Sequence, residues 1–335
     1  MNRKSMNFYK ENGYFLFPKM VQFEITLQCP FHCSQCYKKT LDNQDMDYDY
    51  LNNIIKQAVK NEINLITLNG GEPLLYSRIC DLLISIGEKG IPTNIFSSGF
   101  NLTKKVVQLL EKYKNLNFYI SLNGSTKEIN NLSREGFDVS IMAIRELSNY
   151  NIKFGVNWVA RHDNIADFPN MLQLCRAYGI SFISVTSNKL TGYGVVQSPL
   201  KKNDIALLSD YINYREKLLP SIFIESCFSM LSTCVIGNKN SFTAHCYAGI
   251  SNCTVNCDGS FQPCTHLKYP ERYDSIQNYW HNSQILKNIR DNPPNRLSPC
   301  HTCEHNKICS LCRAMSLDTY NNLRAGASEC LNYLG

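Results

Sequence analysis

Six short β-rich runs, each followed by a segment of helical periodicity, succeed one another between residue 20 and about residue 217. This serial alternation restricts the fold more than any other feature of the chain. The runs are VQFEITL (21–27), NLITLN (64–69), TNIFSS (93–98), NFYISL (117–122), KFGVNWV (153–159) and SFISVTS (181–187). Amphipathic stretches such as YLNNIIKQAVKN and KKVVQLLEKY fill the intervals. Apolar strands joined by crossover helices predict an α/β fold, a parallel sheet covered by helices, either doubly wound or closed towards a barrel. In both, chemistry gathers at the carboxyl ends of the strands. Cys29, Gly70 to Pro73, Ser97 to Gly99, and Asn123 with Gly124 all fall there, after runs one to four.

The cysteines narrow the chemistry. Of 16, three lie within eight residues (Cys29, Cys33, Cys36), nine fall between Cys246 and Cys330, and only Cys80, Cys175, Cys227 and Cys234 stand apart. No apolar run approaches the roughly 18 residues of a membrane span, and MNRKSMNFYKENGYF has no signal-peptide core. We therefore expect a cytoplasmic protein without a membrane partner. A reducing compartment disfavours disulfides, so clustered thiols point to metal or catalysis. Cys80 and Cys175 sit among Ile and Leu in helical repeats and read as buried structural residues. The net charge of +6 is spread without a basic block, which argues against nucleic acid and suits an acidic peptide or small anion.

Past residue 220 the periodicity gives way to turn signals, CDGS and DNPPN, and to a cysteine every few residues. Such a segment buries little core and needs metal to hold its shape. The expected organisation is a short extension over 1–19, the α/β unit over 20–220 and a cysteine-rich unit over 221–335.

Cys29, Cys33 and Cys36 form a Cys-x3-Cys-x2-Cys loop directly after the first run. Three thiolates hold three irons of a [4Fe-4S] cluster and leave the fourth open to a chelating ligand. Structural zinc would want a fourth ligand. His32, inside the loop, reads as a solvated spacer. The loop and the Gly70-Gly71-Glu72-Pro73 turn about forty residues on resemble the radical S-adenosylmethionine (SAM) superfamily, whose members place these motifs after the first two strands of a partial (β/α)6, TIM-like barrel.

The resemblance implies that Cys29, Cys33 and Cys36 carry the catalytic cluster, with Tyr37 near the adenine and Gly70, Gly71 and Glu72 at the methionyl amino group of SAM. It places Ser97, Ser98 and Ser121 at the ribose and carboxylate, Arg134 as a carboxylate partner and Asn157 as a further contact. The stretch SLNGSTKEINNLSREGFD departs from the family pattern in having Asn123 where aspartate is usual and Glu135 between Arg134 and Gly136.

The tail spacing, Cys246, Gly259 and Cys264, then Cys300-x2-Cys303-x5-Cys309-x2-Cys312 and Cys330, resembles the SPASM extension of peptide-modifying members. By that resemblance up to two auxiliary [4Fe-4S] clusters join the catalytic one. Cys300, Cys303, Cys309 and Cys330 would hold the outer cluster. Cys246, Cys264 and Cys312 would hold the inner one, with Cys253 or Cys257 as a possible fourth ligand. Only Ser310 and Leu311 separate Cys309 from Cys312, one residue fewer than usual. A zinc ribbon is the alternative for these pairs.

The implied activity is reductive cleavage of SAM, supported by a donor such as flavodoxin or ferredoxin. The substrate reading is a ribosomally made precursor peptide receiving a thioether or carbon-carbon crosslink, with leader recognition falling to a separate protein, to the barrel loops, or to neither. Competing readings are a sulfatase-type maturase, which has aspartate where Thr265 stands, a peptide epimerase using Cys227 or Cys234, and a small-molecule dehydrogenase. An iron-sulfur electron carrier or a zinc-dependent scaffold belongs to another class and has no need of the glycine-glycine-glutamate turn.

Overall fold

The computed structural model describes residues 3–38, 42–189, 200–213, 220–225, 228, 231, 246–292, 300–303 and 312–320. Among these residues nine strands form one sheet: β1 Met20–Thr26, β2 Leu65–Gly70, β3 Thr93–Ser97, β4 Leu116–Ser121, β5 Phe154–Ala160, β6 Phe182–Ser187, β7 Ser221–Ile224, β8 Asn252–Val255 and β9 Phe261–Gln262. Their spatial order is β7-β6-β5-β4-β3-β2-β1-β8-β9, parallel throughout except for β9. The helices are α1 Arg3–Asn12, α2 Tyr48–Lys60, α3 Ile79–Glu88, α4 Lys104–Lys112, α5 Lys127–Asn131, α6 Phe137–Ser148, α7 Phe168–Ala177, α8 Lys202–Asn213, α9 Ile276–Asn282, α10 Gln284–Asp291 and α11 Arg313–Tyr320.

The strand order decides between the two architectures that the alternation allows. Strands β1 to β7 lie in sequence order with no reversal. Right-handed crossovers then put every helix on one face, as in a barrel, and leave no doubly wound switch point. The other face is the barrel interior. Each strand sends alternate residues to opposite faces. Val21, Phe23, Ile25, Ile66, Leu68, Phe118, Ile120, Val156 and Trp158 are fully buried with Leu51, Ile54, Leu82, Leu83, Ile144 and Leu147 of the helices. The interior face is polar and aromatic: Asn117 bonds Asn94 at 3.1 Å, and Tyr119 stacks on Phe96 with centroids 4.8 Å apart.

All six expected runs are strands, displaced by one or two residues at most. Missed are β7, β8 and β9 beyond residue 220. They are short, so they carry no period of their own and are held by neighbours: β8 pairs with β1 and β7 with β6. The N-terminal segment closes on the same region, where Trp280 Nε1 donates to the Phe15 carbonyl at 2.8 Å. Among the described residues no helix is long and apolar enough to cross a membrane.

Candidate active site

The Cys29–Tyr37 loop leaves the carboxyl end of β1 and is braced from two sides. From below, the glycine pair after β2 packs on the backbone of β1. A Cβ at Gly70 would collide with the Thr26 oxygen, and one at Gly71 with the Gln28 oxygen. Only glycine permits that approach. Gly71 N donates to Thr26 O at 2.8 Å and Glu72 N to Gln28 O at 2.6 Å, fixing the chain that delivers Cys29.

From the side, the segment after β4 grips the loop residue by residue. His32 N donates to Glu135 Oε2 at 3.0 Å, and Glu135 N donates to Cys33 Sγ at 3.4 Å. Gln35 N reaches Ser133 O at 3.4 Å. Asn123, fully buried, gives its amide protons to Gln35 Oε1 at 2.6 Å and Ser133 Oγ at 2.9 Å, while its Oδ1 accepts from Val159 N at 3.2 Å. Gly136, at φ +82, makes room for the Phe31 ring; a Cβ there would meet Phe31 Cζ at 2.5 Å. Sequence reading noted Asn123 and Glu135 as departures but missed this bracing, and missed Gln35 and Ser133 altogether. Gln35 meets Asn123 and Ser133 across 88 residues or more, beyond any local pattern.

The three thiols lie within one another's field. Burial pushes the Cys29 thiol up to about 11; the Phe31 N–H opposes this, and the charges of Glu72, Cys33 and Cys36 add to it. Burial also raises Cys36, opposed by the Lys38 N–H and by the positive charges of Arg134 and Lys38. Arg134 thus stands beside Cys36, and its Nε is buried without a hydrogen-bond partner. Asn69 Oδ1, at the end of β2, is likewise buried and unpartnered. Among the described residues no three His, Cys, Asp or Glu side chains converge as ligands of a single metal ion. Thiolates on separate irons of one cluster stand further apart, and the orphaned guanidinium suits a carboxylate beside it. The residues therefore fit a three-thiolate cluster with a carboxylate-bearing ligand.

Glu72, 1% exposed, accepts from Leu74 N at 3.1 Å, Ser97 Oγ at 2.6 Å, Ser98 N at 2.8 Å and Ser98 Oγ at 2.5 Å. Its acceptor sites are thus filled from the end of β3 and from its own turn, and the two serine hydroxyls turn towards it. Burial raises its carboxyl, and these bonds oppose the rise. Ser121 and Asn157 are register partners on β4 and β5. Tyr37 OH reaches Gly70 O at 3.5 Å, and its ring meets the His266 ring edge-on at 5.2 Å.

A second thiol group forms across the tail. Burial, then the charges of Cys246 and Cys312, push Cys264 up to about 12. These three border a small core of Ala248, Leu267, Ile289 and Ala314. Cys253 and Cys257 belong to the main core instead. Cys253 is fully buried and strongly raised by burial, while Cys257 donates to Gln44 O at 3.4 Å. Cys300 and Cys303 share a turn, with Cys303 N donating to Cys300 O at 3.1 Å. Cys175 is buried, as expected; Cys80 is half-buried against the main core. Cys227, Cys234, Cys309 and Cys330 lie outside the described residues.

Residues 23–175 match the radical SAM superfamily model. The mycofactocin maturase MftC of Mycolicibacterium smegmatis is 21% identical, with 95% of this chain and 84% of that protein covered. A probable GTP 3',8-cyclase of Methanocaldococcus jannaschii is 22% identical, over 73% of this chain and 84% of that protein. Among solved structures, SuiB of Streptococcus suis bound to its precursor peptide SuiA superposes with a TM-score of 0.81 at 20% identity, covering 98% of this chain and 79% of that chain. Native anSMEcpe with bound AdoMet gives a TM-score of 0.71 at 17% identity, covering 94% of this chain and 94% of that chain.

Proposed function

Starting from a chain that carries a radical SAM domain over residues 23–175 and is an enzyme of that chemistry, we propose that it modifies a ribosomally made precursor peptide by forming a thioether or carbon-carbon crosslink. Enzymes with this domain use a [4Fe-4S] cluster and SAM. When bound, these supply an electron and a 5'-deoxyadenosyl radical that takes hydrogen from the substrate.

In this reading Cys29, Cys33 and Cys36 hold the cluster, and the Arg134 guanidinium holds the SAM carboxylate. Tyr37 closes the adenine side. Gly70 and Gly71 offer backbone at the amino group while Glu72 locks β2 to β3 beneath it; Ser121 and Asn157 line the far wall. The carboxyl ends of the strands exclude water around this point. Residues 221–335 act as an auxiliary-cluster region, with Cys246, Cys264 and Cys312 as one ligand set. Cys300, Cys303, Cys309 and Cys330 are the other.

The observation that carries the peptide reading is the second thiol group, Cys264 with Cys246 and Cys312, together with the likeness to a maturase and to SuiB with its peptide. A sulfatase-type maturase fits less well. Where that group has an aspartate, Thr265 is buried and donates to Gln22 Oε1 at 2.6 Å, so no ionisable group stands there.

The test is iron and sulfide content of the anaerobically reconstituted protein, with and without alanine at Cys29, Cys33 and Cys36, alongside coexpression with short peptides encoded beside its gene. About twelve irons falling to about eight in the triple variant, and a mass loss of about two hydrogens in one peptide, support the reading. SAM cleavage without any change in a peptide overturns the peptide assignment.

A further inference from the structure

The interior face of β6 and β7 carries groups that the reading above does not use. Ile183, Val185, Ile222 and Ile224 pack into the main core under the helices. Phe182, Ser184, Phe223 and Glu225 therefore point the other way, into the barrel. Ser121, Asn157, Ser184 and Phe223 are successive register partners from β4 to β7, so Glu225 stands close to the level of Ser121 and Asn157. One level nearer the amino ends runs a row of rings. Phe96 stacks on Tyr119 at 4.8 Å, Tyr119 meets Phe182 at 4.9 Å, and Phe182 meets Phe223 edge-on at 6.1 Å. Gly155 lies under this row; a Cβ there would fall 2.0 Å from Phe182 Cδ2, so the row depends on glycine. Solvent reaches this face: Phe96, Tyr119 and Phe182 are half-buried, Phe223 is 54% exposed and Glu225 is exposed.

Ser184 Oγ donates to Glu225 Oε1 at 2.7 Å, and no cation pairs with the carboxylate among the described residues. Burial raises the carboxyl, the Ser184 bond opposes the rise, and no charged group, thiolates included, adds to either side. Burial and then the Glu225 charge push the Tyr119 hydroxyl up to about 12, which sets the carboxylate beside the row of rings. A carboxylate hemmed in by protein and short of a counter-charge is stabilised by a cation. One carboxylate and one hydroxyl are too few ligands for a metal ion. The rings favour an organic cation instead, because aromatic faces attract ammonium and guanidinium groups and cover an aliphatic stem. Lysine and arginine side chains combine that head with that stem.

We propose that Glu225, steadied by Ser184, receives the cationic head of a lysine or arginine residue of the substrate peptide, with the stem of that side chain laid along Phe182 and Phe223. This rests on the peptide reading above and names the residue class that enters the barrel: basic.

The experiment uses the full-length, anaerobically reconstituted protein with SAM and three probes in calorimetric titration. N-acetyllysine N-methylamide carries the ammonium, N-acetylarginine N-methylamide carries the guanidinium, and N-acetylnorleucine N-methylamide is a neutral match for the lysine stem. At least one cationic probe should bind about tenfold tighter than the norleucine probe, and the tighter of the two identifies the residue. Glu225→Gln should abolish that preference, and Phe223→Ala should weaken all three probes. Norleucine binding as tightly as both cationic probes, no binding by any, or a preference that survives in Glu225→Gln overturns the proposal. Unchanged binding in Phe223→Ala overturns the place given to the stem. Loss of SAM affinity in Glu225→Gln would assign the carboxylate to SAM and likewise overturns it. Peptide modification is scored separately: a Glu225-dependent preference in an enzyme that alters no coexpressed peptide overturns the peptide reading, not the cation site.

Discussion

The amide of Asn123 stands 2.6 Å from Oε1 of Gln35, a side chain 88 residues earlier that lies between the second and third cysteines of the β1 loop. The contact joins the end of β4 to the loop, so the spacing of Cys33 and Cys36 depends on a residue that holds no cofactor.

Asn123→Ala leaves Gln35, Ser133 and the Val159 N–H short of partners in a fully buried place. We expect a loss of about 1–3 kcal/mol, seen as a lower denaturant midpoint, and faster bleaching of the cluster absorbance in air. Asn123→Asp should lose less, since Gln35 can turn its amide and Ser133 can donate.

Gly136→Ala acts on the same loop from the other direction. The residue sits at φ +82, where alanine costs about 1 kcal/mol, and its Cβ would strike Phe31. Reconstituted iron should fall by at least one cluster while far-ultraviolet circular dichroism stays near wild type. An unchanged iron content would show that Phe31 moves aside freely.

Ser97→Ala removes a 2.6 Å bond to the Glu72 carboxylate, worth about 1.5–3 kcal/mol because the acceptor is charged and buried. The Ser97 bond favours the ionised form and lowers a carboxyl that burial has raised. Its deletion raises the folded-state value further, so the variant's stability should fall more steeply as pH rises through that value. The deficit should be larger at pH 8 than at pH 5, by urea unfolding at each. An equal deficit at both would mean that Glu72 does not change its protonation state between them.

Cys253 and Cys264 should separate cleanly. Cys253 lies in the sheet core and Cys264 faces Cys246 and Cys312. Cys264→Ala should lower reconstituted iron by about four, and Cys253→Ala should leave it unchanged while lowering the melting temperature. Equal iron loss in both would make Cys253 the fourth ligand of the inner group.

The sequence by itself determined the serial parallel strands, their boundaries to within a residue or two, and the arrival of the cysteine loop and the glycine-glycine-glutamate turn on one rim. Those features are local: period, turn chemistry and cysteine spacing are all written within a few residues of each other. Tertiary structure alone decided the rest. The order of strands made the sheet barrel-like, and β8 joined β1 across more than two hundred residues. Glu72, read as a ligand for an amino group, has its acceptor sites filled by Ser97 and Ser98, and Cys253 went to the core. Hydrogen bonds and charge pairs act through space over a few ångströms, whatever the sequence separation. A sequence can name the residue types able to make them, but only the folded backbone brings Asn123 to Gln35, or Cys264 to Cys246 and Cys312.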